Sequence, residues 1–174
     1  MPNHSYTSRR ELEEYHFHPV VAVAVPLVFL LLQAFLPKIF PRLVMLDLPL
    51  IAVIFFAVAR RNPIAGTLTG AAVGLVQDAL TNQPIGVNGM AKALIGFAAS
   101  SIGVQVDVEN LTTRILMNFV FSCLQSVLLY LINRYLLGIP QFHLFWVHEL
   151  LRAGLNTAVA IPLFLLLDRA KRRE

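Results

Sequence analysis

The chain has 174 residues, of which 57% are hydrophobic and only 14% charged, and its mean hydropathy is +0.68. Soluble domains carry about 45–50% apolar and about 25% charged residues, so this composition excludes an ordinary water-soluble domain. The formal net charge is +4, but the basic residues flank apolar runs and form no stripe, which excludes a nucleic-acid-binding surface.

Six apolar segments follow one another, each close to the roughly 20 residues needed to cross about 30 Å of hydrocarbon. They cover residues 19–36, 43–59, 64–80, 87–106, 111–136 and 145–167. Residues 1–18 are polar and residues 169–174 form a basic tail. Open strands cannot span lipid, so the sequence predicts an all-α integral membrane protein whose residues 19–168 form a bundle of about six transmembrane helices.

The basic residues beside the segments predict the orientation of the bundle. With six spans both termini share one side of the membrane, and that side collects nine Lys and Arg residues against three on the other. Lys and Arg are enriched in cytoplasmic loops. We therefore expect a multi-pass protein of the bacterial cytoplasmic (inner) membrane with both termini in the cytoplasm.

Small residues at helical spacing mark the third and fourth segments. Gly66, Gly70 and Gly74 form a doubled G-x-x-x-G ridge on the third segment, and Gly96 lies among similarly spaced small residues on the fourth. Small residues let helix backbones approach closely in lipid, where no hydrophobic force drives helices together. The ridge therefore predicts close packing of these two helices, with a homodimer face as the alternative.

Five charged side chains lie within or at the edge of the apolar segments, all toward the predicted outer side. An intramembrane ion costs a few kcal/mol or more unless it is paired, so we expect these groups to converge. The simplest interpretation is mutual neutralisation that fixes helix register, and a transport or partner site is the alternative. The predicted intramembrane charged cluster consists of Asp47, Asp78, Lys92, Glu149 and Arg152.

Polar side chains also recur at helical spacing on the last two segments. Asn118, Ser122 and Gln125 form a stripe on the fifth, and Asn156 lies on the sixth. Interhelical hydrogen bonds of roughly 1 kcal/mol each explain such a stripe, and the lining of a small-molecule cavity is the alternative.

Motifs of enzymes are missing from the sequence. His148-Glu149 lacks the second histidine that a zinc-binding H-E-x-x-H helix needs, because Arg152 stands in its place. The sequence has no nucleophile elbow, no phosphate-binding loop and no Cys/His cluster with metal-ligand spacing. We therefore expect no enzymatic activity, no metal and no cofactor.

Several blocks of the sequence resemble the MreD family of bacterial rod-shape-determining membrane proteins. That family shows a glycine-rich third span ending in an aspartate, then a turn with a Leu/Ile-Gly pair, and a last span with Phe-Trp, Asn, Pro and a basic tail. The matching residues here are Gly66, Gly70, Gly74 and Asp78, then Ile85-Gly86, then Phe145-Trp146, Asn156, Pro162 and Lys171-Arg172-Arg173. The resemblance covers nearly the whole chain.

The resemblance implies a non-enzymatic scaffold subunit of the cell-wall elongation machinery, or elongasome, which maintains rod shape through peptidoglycan synthesis. Expected partners are MreC, the filament protein MreB, RodA and a penicillin-binding transpeptidase, besides membrane lipid. It also implies a fold similar to the substrate-binding subunits of energy-coupling-factor transporters. That likeness supplies the alternative function, a small-molecule-binding membrane subunit of a vitamin-type transporter. From the family pattern and its intramembrane position, we expect Asp78 to be buried and paired with Lys92 or Arg152.

Overall fold

The structure, a computed structural model, describes residues 16–17, 19–40, 44–106, 110–139, 145–168 and 171–172. Six α-helices account for nearly all of these residues. Their bounds are α1 Pro19–Ile39, α2 Leu48–Arg60, α3 Pro63–Thr81, α4 Val87–Gly103, α5 Leu111–Leu131 and α6 Trp146–Asp168. A π-helical turn, Ile132–Leu136, continues α5. The predicted all-α fold with six helices is therefore confirmed, while the predicted segments 1–18 and 169–174 lie largely outside the described residues.

The two ends of the described chain meet. Residues His16–Phe17 (β1) pair antiparallel with Lys171–Arg172 (β2), His16 lying opposite Arg172. This two-residue pairing is the one piece of extended structure among the described residues. It places the chain segments before α1 and after α6 side by side, and so at the same end of the bundle.

Helix α2 begins at Leu48, later than the predicted start at residue 43. Asp47 is the N-cap, because its side chain accepts a hydrogen bond from the backbone N–H of Leu50, and Pro49 lies in the first turn. Aspartate at the N-cap and proline in the first turn are typical of a helix start. The same pattern, Asn62 before Pro63, begins α3.

Helix α2 lies at the centre of the bundle. Every residue from Leu48 to Ala59 is buried. One side packs with α1 and α6 through residues such as Phe29 and Phe164, and the other packs with α4 and α5 through residues such as Ile95 and Phe121. With 13 residues, α2 is only about 20 Å long at 1.5 Å per residue. Its N-cap, Asp47, is also buried, so the helix begins inside the bundle.

Helices α3 and α4 are in backbone contact along the predicted glycine ridge. A Cβ added at Gly70 would fall on the backbone carbonyl of Lys92, and one at Gly74 on that of Asn88. Gly66 and Gly96 meet each other in the same way. The ridge is therefore occupied by α4 of the same chain, and a homodimer would need a different surface.

Among the described residues, two helical stretches are long and apolar enough to cross a membrane by length and composition, Leu111–Leu136 and Trp146–Leu167. Val20–Leu36 and Leu48–Arg60 are apolar but shorter. Helices α3 and α4 fall in neither group, since glycines and polar side chains replace part of their apolar residues. Many large apolar side chains along the bundle are exposed, among them Leu94, Phe97, Leu116, Leu151 and Leu155.

We expect Gly70→Leu to destabilise the bundle, because its side chain would have to displace the backbone of Lys92. Overpacking of a tight interior costs about 1–3 kcal/mol. The measurement is thermal stability in detergent. Gly154→Leu is the matched control, because nothing lies within 4 Å of a Cβ at Gly154. Equal stability of the two leucine variants would contradict the close approach of α3 and α4.

Candidate functional site

The buried start of α2 is the most polar place in the described interior. The first N–H groups of a helix have no partner within the helix. Here the N–H of Asp47 donates to Asn156 Oδ1 at 2.9 Å, that of Leu48 to Gln33 Oε1 at 3.2 Å, and that of Leu50 to Asp47 Oδ1 at 3.0 Å. Pro49 has no N–H to satisfy. Helices α1 and α6 thus complete the cap of α2.

The other carboxylate oxygen of Asp47 gathers cationic and amide donors. Lys92 Nζ lies 2.8 Å from Asp47 Oδ2, and both side chains are buried. Gln125 Nε2 donates to the same oxygen, and a guanidinium nitrogen of Arg152 lies 3.9 Å away. Lys92 Nζ also donates to Asn88 Oδ1 at 3.3 Å. A charge this deeply buried is tolerated only with such partners.

Glu149 and Arg152 form the edge of this centre. They are paired at 3.8 Å, and each side chain keeps about a fifth to a quarter of its surface exposed. Ser126 on α5 donates its hydroxyl to Glu149. His148 lies 3.7 Å from Glu149 and is half exposed. The charged centre therefore reaches the surface of the bundle at the first turns of α6.

Asp78 is buried, but its expected pairing with Lys92 or Arg152 is wrong. Its carboxylate accepts hydrogen bonds from the backbone N–H groups of Gly86, Asn88 and Gly89, and from Asn88 Nδ2 at 2.8 Å. Asp78 therefore caps the start of α4 across the turn from α3. The physical reason is that the N–H groups at a buried helix start compete for the carboxylate and lie closer than the ammonium of Lys92.

A single hydrogen-bonded and ion-paired network links these groups. Asn88 connects Asp78 to Lys92 by donating to the one and accepting from the other. Lys92 continues to Asp47, and Asp47 to Gln125 and Arg152. We call Asp47, Lys92, Glu149 and Arg152 the charged centre. Its two acids and two bases balance, so its direct physical effect is to fix the register of the helices that contribute to it.

The polar stripe of α5 faces the same interior. Asn118 Nδ2 donates to Thr157 Oγ1 at 3.2 Å, which joins α5 to α6, while Gln125 binds Asp47. Asn156 accepts from the N–H of Asp47. Ser122 is buried, and its hydroxyl has no hydrogen-bond partner. The described residues contain no group of three or more His, Cys, Asp and Glu side chains placed to hold a metal ion.

The depressions that border the described helices include a small cavity and a surface groove. One is a cavity of about 20 Å³ lined by Arg114 together with apolar side chains of α2, α5 and α6. The other, about 410 Å³, is a shallow apolar groove on the outer face of α6 around Gly154. Neither depression has the polar and apolar lining from α4, α5 and α6 that a small-molecule site of the transporter type would need.

Two members of the network, Gln33 and Asn88, were not among the predicted site residues. Gln33 is a polar residue in an otherwise apolar stretch of α1, and this isolation could have marked it as a buried hydrogen-bonding group. Asn88 follows the turn after α3, where turn residues are common. The cap of α2 was also signalled by the sequence Asp47-Leu48-Pro49.

The fold and the site define a class: an all-helical membrane protein whose buried charged groups pair with one another. A comparison with protein families matches residues 16–170 of the chain to the family described as rod shape-determining protein MreD. The chain therefore belongs to the MreD family, a membrane protein family with a role in rod-shape determination. Comparisons with curated proteins and with solved structures found no match.

We expect Lys92→Met to destabilise the bundle, because it leaves Asp47 buried without its ammonium partner. Breaking a buried pair from one side costs about 3–5 kcal/mol. The double variant Asp47→Asn, Lys92→Met should regain most of that loss, since asparagine also caps helices and no uncompensated charge remains. The free energy of unfolding in detergent is measured for the single and the double variant.

Lys38→Met provides the control for these two variants. Lys38 is exposed and lies over the ring of Phe35, so its loss should cost at most about 1 kcal/mol. A double variant no more stable than Lys92→Met would show that the pair is not the source of the stabilisation.

Proposed function

We propose that this chain is a non-enzymatic membrane scaffold subunit of the cell-wall elongation machinery. In this proposal it binds MreC and connects it to RodA, a penicillin-binding transpeptidase and the MreB filament. The observation that carries the proposal is family membership over residues 16–170, together with an interior whose charged groups bind one another. A scaffold needs a rigid body and an outer surface, and it needs no binding cavity.

The alternative, a ligand-binding subunit of a vitamin-type transporter, would need an internal cavity. Pockets for small ligands usually enclose about 300–1,000 Å³. The cavity beside Arg114 has about 20 Å³, and the larger depression is a groove on the surface of α6. The described interior therefore supports the scaffold over the transporter subunit.

The proposed topology is six membrane crossings with both termini in the cytoplasm. Asp47 caps the start of α2, and Asp78 lies in the last turn of α3. Lys92 and Arg152 lie in the second turns of α4 and α6, and the network joins all four residues. These positions coincide at one end of the bundle when successive helices alternate in direction. The excess of basic residues at the opposite end supports a cytoplasmic location for that end.

Cysteine accessibility tests the topology in a background with Cys123→Ala. A cysteine at Gln83, an exposed residue of the α3–α4 turn, should react with a membrane-impermeant thiol reagent added to intact spheroplasts. A cysteine at Lys171 should react only after the membrane is opened, because the basic tail lies in the cytoplasm. The reverse labelling pattern would contradict the orientation.

Co-purification of partner proteins with the chain in a mild detergent tests the scaffold function. We expect MreC to co-purify with the wild-type chain, and expression of the chain to restore rod shape in cells depleted of their own family member. Lys92→Met should reduce both in proportion to its abundance, and the double variant with Asp47→Asn should recover both.

Two results would contradict the scaffold proposal. One is a correctly inserted and abundant chain that neither restores shape nor retains MreC. The other is specific, saturable binding of a vitamin by the purified chain alone, which would favour the transporter alternative.

A further inference from the structure

Three buried oxygen atoms on one face of α5 have no hydrogen-bond partner in the described structure. They are Asn118 Oδ1, Ser122 Oγ and Gln125 Oε1. The three residues are exposed by 0%, 4% and 2%, and their i, i+4, i+7 spacing places them on one helix face. We call this face the α5 seam.

The hydrogen bonds made by the neighbouring side-chain donors go to other acceptors. The amide of Asn118 donates to Thr157, the hydroxyl of Thr157 donates to the carbonyl of Ala153, and the amide of Gln125 donates to Asp47. A buried acceptor without a donor carries the full cost of its desolvation. Three such acceptors on consecutive turns therefore call for donors that the described side chains do not supply.

One end of the α5 seam adjoins the partly exposed charged centre, and the other end lies near a small cavity. At one end Gln125 binds the charged centre, whose Glu149 and Arg152 side chains are 20% and 24% exposed. At the other end the cavity of about 20 Å³ is lined by Arg114 and Met117, which lie within one turn of Asn118. A cavity of that volume holds one water molecule.

We propose that the α5 seam is a binding site for a file of internal water molecules that exchange with solvent past Glu149 and Arg152. Water fits because each molecule can donate to one oxygen of the seam and accept from another donor. A metal cation fits less well, since Lys92 and Arg152 already place two positive charges at the open end. The seam gives the Asp47–Lys92 pair contact with solvent inside the membrane, a property that the scaffold function does not require.

Thiol reactivity tests the seam. In a Cys123→Ala background reconstituted in lipid nanodiscs, Ser122→Cys is compared with Leu124→Cys, whose side chain lies on the exposed, lipid-facing side of the same helix. The reagent is methanethiosulfonate ethylammonium. Because only a hydrated thiol ionises and reacts readily, Ser122→Cys should react at least about tenfold faster. Asn118→Cys is used where Ser122→Cys does not elute as a single folded species.

A second measurement uses the unmodified protein. X-ray radiolysis generates hydroxyl radicals from bound water, and methionine is oxidised to its sulfoxide. Met117 is 8% exposed and lines the cavity, so we expect it to be oxidised faster than Cys123, which lies on α5 away from the seam. A Ser122→Cys rate no higher than that of Leu124→Cys, or a Met117 that stays unoxidised while Cys123 reacts, would overturn the proposal.

Discussion

The bundle is organised by the need to satisfy the N-terminal end of a helix that stops inside it. Helix α2 is buried from Leu48 to Ala59, and its N-cap Asp47 is buried as well, so its first turn lies inside the bundle. Unpaired N–H groups are costly in an apolar interior. Asp47 satisfies part of this need and introduces a buried negative charge, which then requires Lys92. The cap of one helix thus fixes positions on α1, α4, α5 and α6.

Helices α3 and α4 are held together by close backbone packing, and this packing reinforces the Asp47–Lys92 ion pair. At Gly70 and Gly74 the backbones touch, so the relative height of α3 and α4 is fixed by shape. Asp78 also fixes the α3–α4 connection, because its hydrogen bonds hold the first turn of α4 against the end of α3. Lys92 therefore stands on a helix that cannot slide, and the ammonium is held at the level of Asp47. The packing of α3 against α4 thus fixes the position from which Lys92 pairs with Asp47.

The sequence predicted the helices, the glycine ridge and the set of charged residues, because each depends on local spacing. It did not predict which acid pairs with which base. Asp78 and Asp47 both lie at the predicted level of Lys92, and the choice between them depends on backbone N–H groups whose positions exist only in the folded chain. The start of α2 was missed for a related reason. Hydropathy continues without a break through Leu46, whereas the helix begins where Asp47 and Pro49 set the backbone.

The pairing of the buried charged groups has a consequence for where function can lie. In the proposed function, recognition of other proteins would fall to the outer surface, where many large apolar side chains are exposed. His148, Glu149 and Arg152 are different, because they are partly exposed and also belong to the network that ends at Asp47. A contact made at the first turns of α6 is therefore coupled electrostatically to the cap of the central helix. A contact on the outer faces of α3 and α4 meets neither Asp78 nor Lys92 directly, because both of these side chains are fully buried.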